Sequence, residues 1–493
     1  MENTKLFYLL KSFSKTDLKE LNKFINSPFH NSNKKIIELL ILLQKYLNKP
    51  NDKAPKIEFV FSQIYPGKKY NSFIIRNLFS NMVKLIEEFI SISMLKENTQ
   101  IKEKQILQNL RMNNHESLYE KKIEEIFKEL KKTKVKDEKY FLELHDLLFE
   151  RRMFEEQQLH PGKRQKAYDS ITEETNCLIS FFVTLMLKKY FNITNYKRTV
   201  NFSYNMHLYR DVMKILETNK SLYKDNILLE IFHSFLVLYE TKNDNGLYFK
   251  IKSLVLENKN RIPSDDYKNF GIELYNYAKS RRMVKDPEFK TESYELLKQL
   301  VQEDVFTEEG YMTAHSYINI AASAFLEKDF KWAENFIEDY KDKIIPSQKE
   351  NAYNYNLAVF NYLKGYESKD IAVKHKYYNQ SLEIISRVKS EDFYYMTRIK
   401  KNQIKIYYEL NENNNLDNTS TAFRQYLNQN DRMSNEFKEL NFTFLGYIQK
   451  LKTLRHNPSK LQAKKLVNEI EEKEKMELKS WFIDRIKEIQ KSL

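Results

Sequence analysis

Apolar side chains recur along most of this chain at intervals of three and four residues. The prolines Pro28, Pro50, Pro55, Pro66, Pro161, Pro263, Pro287, Pro346 and Pro458 each fall between two such stretches. The pattern predicts an all-α fold with no sheet of more than two strands. Near the start, Ser14 with Asp17 three residues on has the form of a capping box, and Leu18, Leu21, Phe24 and Ile25 mark one helix face up to a stop at Ser27 and Pro28. Residues 34 to 47 include Ile36, Ile37, Leu39, Leu40, Ile41, Leu42 and Leu43, apolar on all sides, which predicts a central helix. A short helix through Ile57, Val60, Phe61 and Ile64 follows. After a break at Tyr65–Asn71 containing Gly67 comes a long helix with the stripe Ile75, Leu78, Phe79, Met82, Leu85, Ile86 and Phe89. These four helices make residues 1–98 a unit of their own.

Residues 99–220 read as charged connecting helices around one apolar segment, Cys177 to Leu187, with a turn at His160, Pro161, Gly162 and Lys163. The run Lys131 to Lys136 is a solvated helix end and loop. From 221 to 493 helices come in pairs whose first members start near 223, 266, 313, 350, 394 and 434, the spacing of a stacked helix-hairpin array. The clearest pair is Tyr317, Ile318, Asn319, Ile320, Ala321 followed by Phe330, Lys331, Trp332, Ala333, Glu334, Asn335, Phe336, Ile337. It resembles a tetratricopeptide repeat (TPR), with Ala321 and Ala333 at the small positions where the two helices cross. Leu357, Ala358, Gly365, Tyr378, Ser381 and Ile385 follow as a second unit, and Ile404, Tyr407, Tyr408, Ala422 and Tyr426 as a weaker third. Leu478, Trp481, Phe482 and Ile486 read as the terminal cap. The expected architecture is an N-terminal helical bundle followed by a TPR-like α-α superhelical solenoid.

The whole chain also resembles a bacterial family of uncharacterised all-helical proteins. The resemblance rests on the order Ser27-Pro28-Phe29, Tyr65-Pro66-Gly67-Lys68, Asn351 to Leu357 and Ser480-Trp481. It implies a fold and no activity.

Composition narrows the chemistry. The 493 residues contain 7 glycines and 9 prolines, where average usage would supply roughly 35 and 25. No glycine-rich phosphate cradle is present. One cysteine, Cys177, excludes an intramolecular disulfide and fits a buried thiol in a reducing compartment. The apolar run around it is shorter than the roughly 20 residues of a spanning helix and reads as core. Leu6 to Leu10 is too short for a signal-peptide core, so a cytoplasmic protein without membrane insertion is expected.

The nine histidines His30, His115, His145, His160, His207, His233, His315, His375 and His456 lie too far apart to form a helical metal pair. Glu124 with Glu125, and Glu308 with Glu309, sit on charged helix faces or starts. No enzyme, metal or cofactor is expected.

Net charge is +14, and residues 1–100 hold +7 of it, with 16 basic and 9 acidic side chains. The 66 lysines against 16 arginines are poor readers of base edges. Two functional readings follow. The first is a non-enzymatic scaffold that grips a peptide or helix of another protein in the solenoid groove, lined by Ile318, Ala322, Phe325, Leu326, Tyr355, Val359, Tyr362 and Leu363. The second is a nucleic-acid-binding regulator, in which the helices around Gly67 act as a helix-turn-helix and present Asn71, Ser72, Lys68, Lys69, Arg76, Asn77, Ser80 and Lys84. A helix-turn-helix placed before such a solenoid resembles one class of bacterial transcriptional activators.

Overall fold

The computed structural model describes residues 1–47, 54–157, 161–199, 205–219, 226–241, 243–389, 392–473 and 476–492, with backbone alone at 161–167, 169 and 197–199. Of the turn expected at 160–163, His160 lies outside the described residues, and Pro161, Gly162 and Lys163 are helical. Pro50 and the helix start expected near 223 also lie outside them. The structure is 80% helical, with 23 α-helices and no strand among the described residues. Two isolated bridges, Glu308 with Tyr311 and Met312 with Ile344, are the only extended pairings there.

The chain divides into two compact units, Met1–Pro263 and Ser264–Leu493. The first begins with α1 (Lys5–Ser12), α2 (Lys15–Asn26), α3 (Lys34–Leu47), α4 (Ile57–Ile64) and α5 (Ser72–Glu97). Ser14 and Asp17 form the capping box of α2. Helix α1 adds a fifth member to the expected four. Thr4 caps it by accepting the Phe7 amide, and Leu6, Phe7 and Leu10 are buried. Helix α3 packs against α2, α4 and α5 and so is central. It is not apolar all round, however: Ile36, Leu39, Leu40 and Leu43 face the core and Ile41 is 50% exposed.

Next come α6 (Thr99–Met112), α7 (Glu116–Lys131), α8 (Glu138–Gln157), α9 (Pro161–Thr199), α10 (Tyr209–Thr218), α11 (Ile227–Thr241) and α12 (Asn245–Glu257). The segment Ser170–Tyr196 of α9 is long and apolar enough to cross a membrane by length and composition, with mean hydropathy 1.3 and a third of its window buried. The Cys177 segment is core on one side only. Cys177, Val183 and Leu187 are buried, whereas Leu178 is 44% and Phe182 39% exposed.

The second unit contains α13 (Ser264–Met283), α14 (Phe289–Gln302), α15 (Ala314–Leu326), α16 (Phe330–Tyr340), α17 (Lys349–Glu367), α18 (Ile371–Ser386), α19 (Phe393–Glu409), α20 (Asn413–Gln429), α21 (Asn435–His456), α22 (Lys460–Glu472) and α23 (Lys479–Lys491). Odd-numbered helices α13 to α21 start within a few residues of the expected first members. Helices α13 with α14, α15 with α16, α17 with α18 and α19 with α20 form packed hairpins, and α15 also packs on α17, and α17 on α19. Close approach depends on small residues. Ala321 and Ala333 are fully buried in one cluster. A Cβ on Gly271 would come within 2.8 Å of Leu300, and one on Gly365 within 2.8 Å of the Tyr378 ring. Helix α23 packs against α21 and α22.

Candidate functional site

The first turns of α15, α17 and α19 meet around a cavity of about 730 Å³. Local sequence sets each turn in place. Thr313 caps α15 by accepting the Ser316 amide at 3.1 Å, and Asp392 caps α19 by accepting the Tyr395 amide at 2.9 Å. Two further hydrogen bonds tie neighbouring turns together: the Ala314 amide donates to Gln348 Oε1 at 2.8 Å, and the Lys389 amide donates to Asn351 Oδ1 at 2.9 Å. Three alternate helices thus share one rim through side-chain amides that satisfy otherwise unpaired backbone groups.

The lining mixes chemistries: apolar Ile318, the rings of His315, Tyr394 and Tyr395, and the cations Lys389 and Arg398. Tyr394 is 55% exposed. Neither Arg398 nor Lys389 has a carboxylate partner among the described residues. The Tyr395 ring lies 5.2 Å from that of Tyr355. Its hydroxyl is buried without a hydrogen-bond partner, and that burial pushes its pKa upward.

Of the eight expected groove residues, Ile318 lines this cavity, and it is buried. Tyr355 and Tyr362 are buried too, covered by the protein's own helices. Tyr362 stacks on Tyr378 at 5.6 Å between centroids, and the Lys405 ammonium sits 4.3 Å from its ring centroid. Phe325 is partly covered and stacks on Phe360. Ala322, Val359 and Leu363 are partly covered, and Leu326 is 74% exposed. The structure therefore does not bring the eight together on one open surface. The aromatic members serve packing: Phe325 stacks on Phe360 of α17, Tyr355 meets Tyr395 of α19, and Tyr362 stacks on Tyr378 of α18.

The N-terminal set is arranged differently. Lys68, Lys69, Arg76, Asn77, Ser80 and Lys84 are all exposed, and the four on α5 share the face opposite its buried stripe of Ile75, Leu78, Phe79, Met82, Ile86 and Phe89. The α4–α5 connection, Tyr65–Asn71, is seven residues long, against the three or four of a helix-turn-helix turn. Asn71, expected to face outward, instead caps α5 by accepting the Phe73 and Ile74 amides.

A buried ionic joint at the end of the second unit was not among the expected features. Arg485 donates to Glu409 Oε2 at 2.9 Å, and Trp481 Nε1 donates to Glu409 Oε1 at 3.1 Å. Both charged side chains are almost fully covered. Burial raises the Glu409 carboxyl, and Arg485 opposes the rise. The available signal is the four-residue spacing of Trp481 and Arg485, which puts both on one face of α23. No group of three or more His, Cys, Asp or Glu side chains able to hold a metal comes together among the described residues. No family model matches the chain, and no curated protein or solved structure matches it.

Proposed function

We propose that this protein is a non-enzymatic interaction scaffold, in which Ser264–Leu493 is a TPR-like helix-hairpin solenoid that binds a peptide or helix of another protein. The observation that carries the reading is the cavity built from the first turns of three alternate helices, α15, α17 and α19. A stack of hairpins that presents the same helix of each pair to one side creates such a continuous recess. Tyr394 is the anchor, with a large ring and a polar tip already held at a helix start, and Arg398 supplies an uncommitted fork of donors. Ile318 adds an apolar side chain to the lining. Tyr355 packs against Tyr395 of the recess lining. The lone buried thiol fits a role in a reducing compartment.

A peptide-display library selected on the full chain tests the reading. Enriched peptides, measured by fluorescence polarisation, should lose about 5- to 30-fold in affinity with Tyr394→Ala or Arg398→Ala, the 1–2 kcal/mol of an interface anchor. No enrichment, or peptides indifferent to both substitutions, would sink it.

A further inference from the structure

The first unit carries a surface that the scaffold reading leaves unused. From Phe59 to Ile86 the chain contains no acidic residue and four basic ones, Lys68, Lys69, Arg76 and Lys84. None of the four is paired with a carboxylate among the described residues. Exposed Lys11, Lys15 and Lys19 also have no carboxylate partner among the described residues, whereas Lys5 pairs with Glu87 and Lys35 with Glu38. What sets the patch apart is the absence of any carboxylate from Phe59 to Ile86, which leaves its positive charge uncompensated along the chain.

Two aromatic rings stand within it. Phe73, at the second position of α5, is 71% exposed, and Tyr70, just before the helix, is 42% exposed. Tyr70 is held by an edge contact with the buried Phe61, their centroids 5.4 Å apart. Its ring is fixed while much of its surface stays open. Lys68 and Lys35 place their ammonium groups 5.6 and 5.8 Å from the Tyr65 centroid, which fixes cations beside the same loop. Phe73, Arg76, Asn77, Ser80 and Lys84 follow one another at helical spacing along about 16 Å of α5.

Exposed rings interleaved with unpaired cations match a polyanion that carries its own flat apolar groups. Nucleic acid is that chemistry, and the rings select its single-stranded form, whose unstacked bases have free faces. A duplex hides those faces. The seven-residue α4–α5 connection and the single arginine also argue against reading base edges in a major groove. We propose that the α4–α5 surface binds single-stranded nucleic acid, with Phe73 and Tyr70 stacking on bases and Lys68, Lys69, Arg76 and Lys84 on the phosphates. This site is independent of the peptide recess in the other unit.

The test is fluorescence anisotropy of a labelled oligothymidylate of about 16 nucleotides with the full chain across a salt series. Phe73→Ala should weaken binding about 5-fold or more, and Phe73→Tyr should retain it. Lys68→Ala, Lys69→Ala and Arg76→Ala combined should weaken binding and reduce the slope of log K against log salt by about 2. The same substitutions at Lys121, Lys131 and Lys134, which lie elsewhere on the unit, should leave both nearly unchanged. Four results would each overturn the proposal: no binding at moderate salt, a duplex of equal length bound as tightly, indifference to Phe73→Ala, or an equal loss from the control triple. Since Phe73 is mostly exposed, unchanged far-ultraviolet circular dichroism is expected for its variants.

Discussion

Gly365 sits in α17 where the neighbouring helix crosses, and alanine there sets two opposed terms against each other. In a helix interior alanine is favoured over glycine by about 1 kcal/mol. The new Cβ would meet Cδ1 and Cε1 of Tyr378 at 2.8 Å and the Lys374 carbonyl oxygen at 3.2 Å, inside the roughly 3.5–4.0 Å of a relaxed carbon contact. Tyr378 cannot swing aside, because it is fully buried and stacked on Tyr362. Overpacking of this kind costs about 1–3 kcal/mol. A central cost of about 2 kcal/mol leaves Gly365→Ala destabilising by about 1 kcal/mol. Gly446, within α21, provides the control, since a Cβ there meets nothing within 4 Å. Gly446→Ala should therefore be stabilising by about 1 kcal/mol. The two variants should melt about 4–8 °C apart in a unit of this size. Tryptophan fluorescence isolates the relevant unit, because the chain has two tryptophans, Trp332 and Trp481, and both lie in Ser264–Leu493. If Gly365→Ala raises the melting temperature as much as Gly446→Ala does, Tyr378 is not packed against that glycine and the hairpin contact is misplaced.

Other perturbations of the same unit follow from its buried groups. Ala333→Leu should overpack the α15–α16 crossing by about 1–3 kcal/mol, and an unchanged urea midpoint would contradict it. Arg485→Met should cost about 3–5 kcal/mol by leaving Glu409 buried and unpaired, and Glu409→Gln in the same chain should recover much of the loss; equal losses in both variants would count against the joint. Lys405, buried over Tyr362 and near Glu409 and Lys401, is pushed down to about 8, with burial as the main cause. The unfolded chain then binds the extra proton between about pH 8 and 10.5, so this group makes the unit more stable as pH rises through that window. Urea melts at about pH 7.5 and 9.5 should show the gain, Lys405→Met should flatten it, and an identical slope in both proteins would remove Lys405 as its source.

Helix periodicity located most of the fold because it depends on each helix's own buried face. The starts of α13 through α21 were legible from apolar spacing and proline, and the α2 cap from Ser14 and Asp17 alone. Helix α1 is not legible from periodicity, because eight residues span barely two turns, too few for a stripe, although Thr4 marks its start. The groove failed for a different reason. Sequence shows that Tyr355 and Tyr362 are large and apolar, but which side of a helix the next hairpin covers is a property of the crossing between them. Tyr394 and Arg398 were invisible as a site, since they become neighbours of His315 and Ile318 only after α17 is inserted between. The α4–α5 cations were readable because no folding partner consumes them. A phenylalanine beside Ile74 and Ile75, as Phe73 is, looks like core until the helix register is fixed.

The lone thiol gives this protein a built-in clock. Cys177 is buried in the cluster with Leu147, Leu148 and Phe154 of α8, and burial pushes its thiol up to about 11. In the closed hairpin it is both sheltered and almost wholly protonated at neutral pH, so an alkylating reagent must wait for α8 and α9 to part. The labelling rate under fast reclosing then counts openings, and each tenfold slowing corresponds to about 1.4 kcal/mol of local stability. With no second cysteine in the chain, the whole signal belongs to that one hinge of side chains.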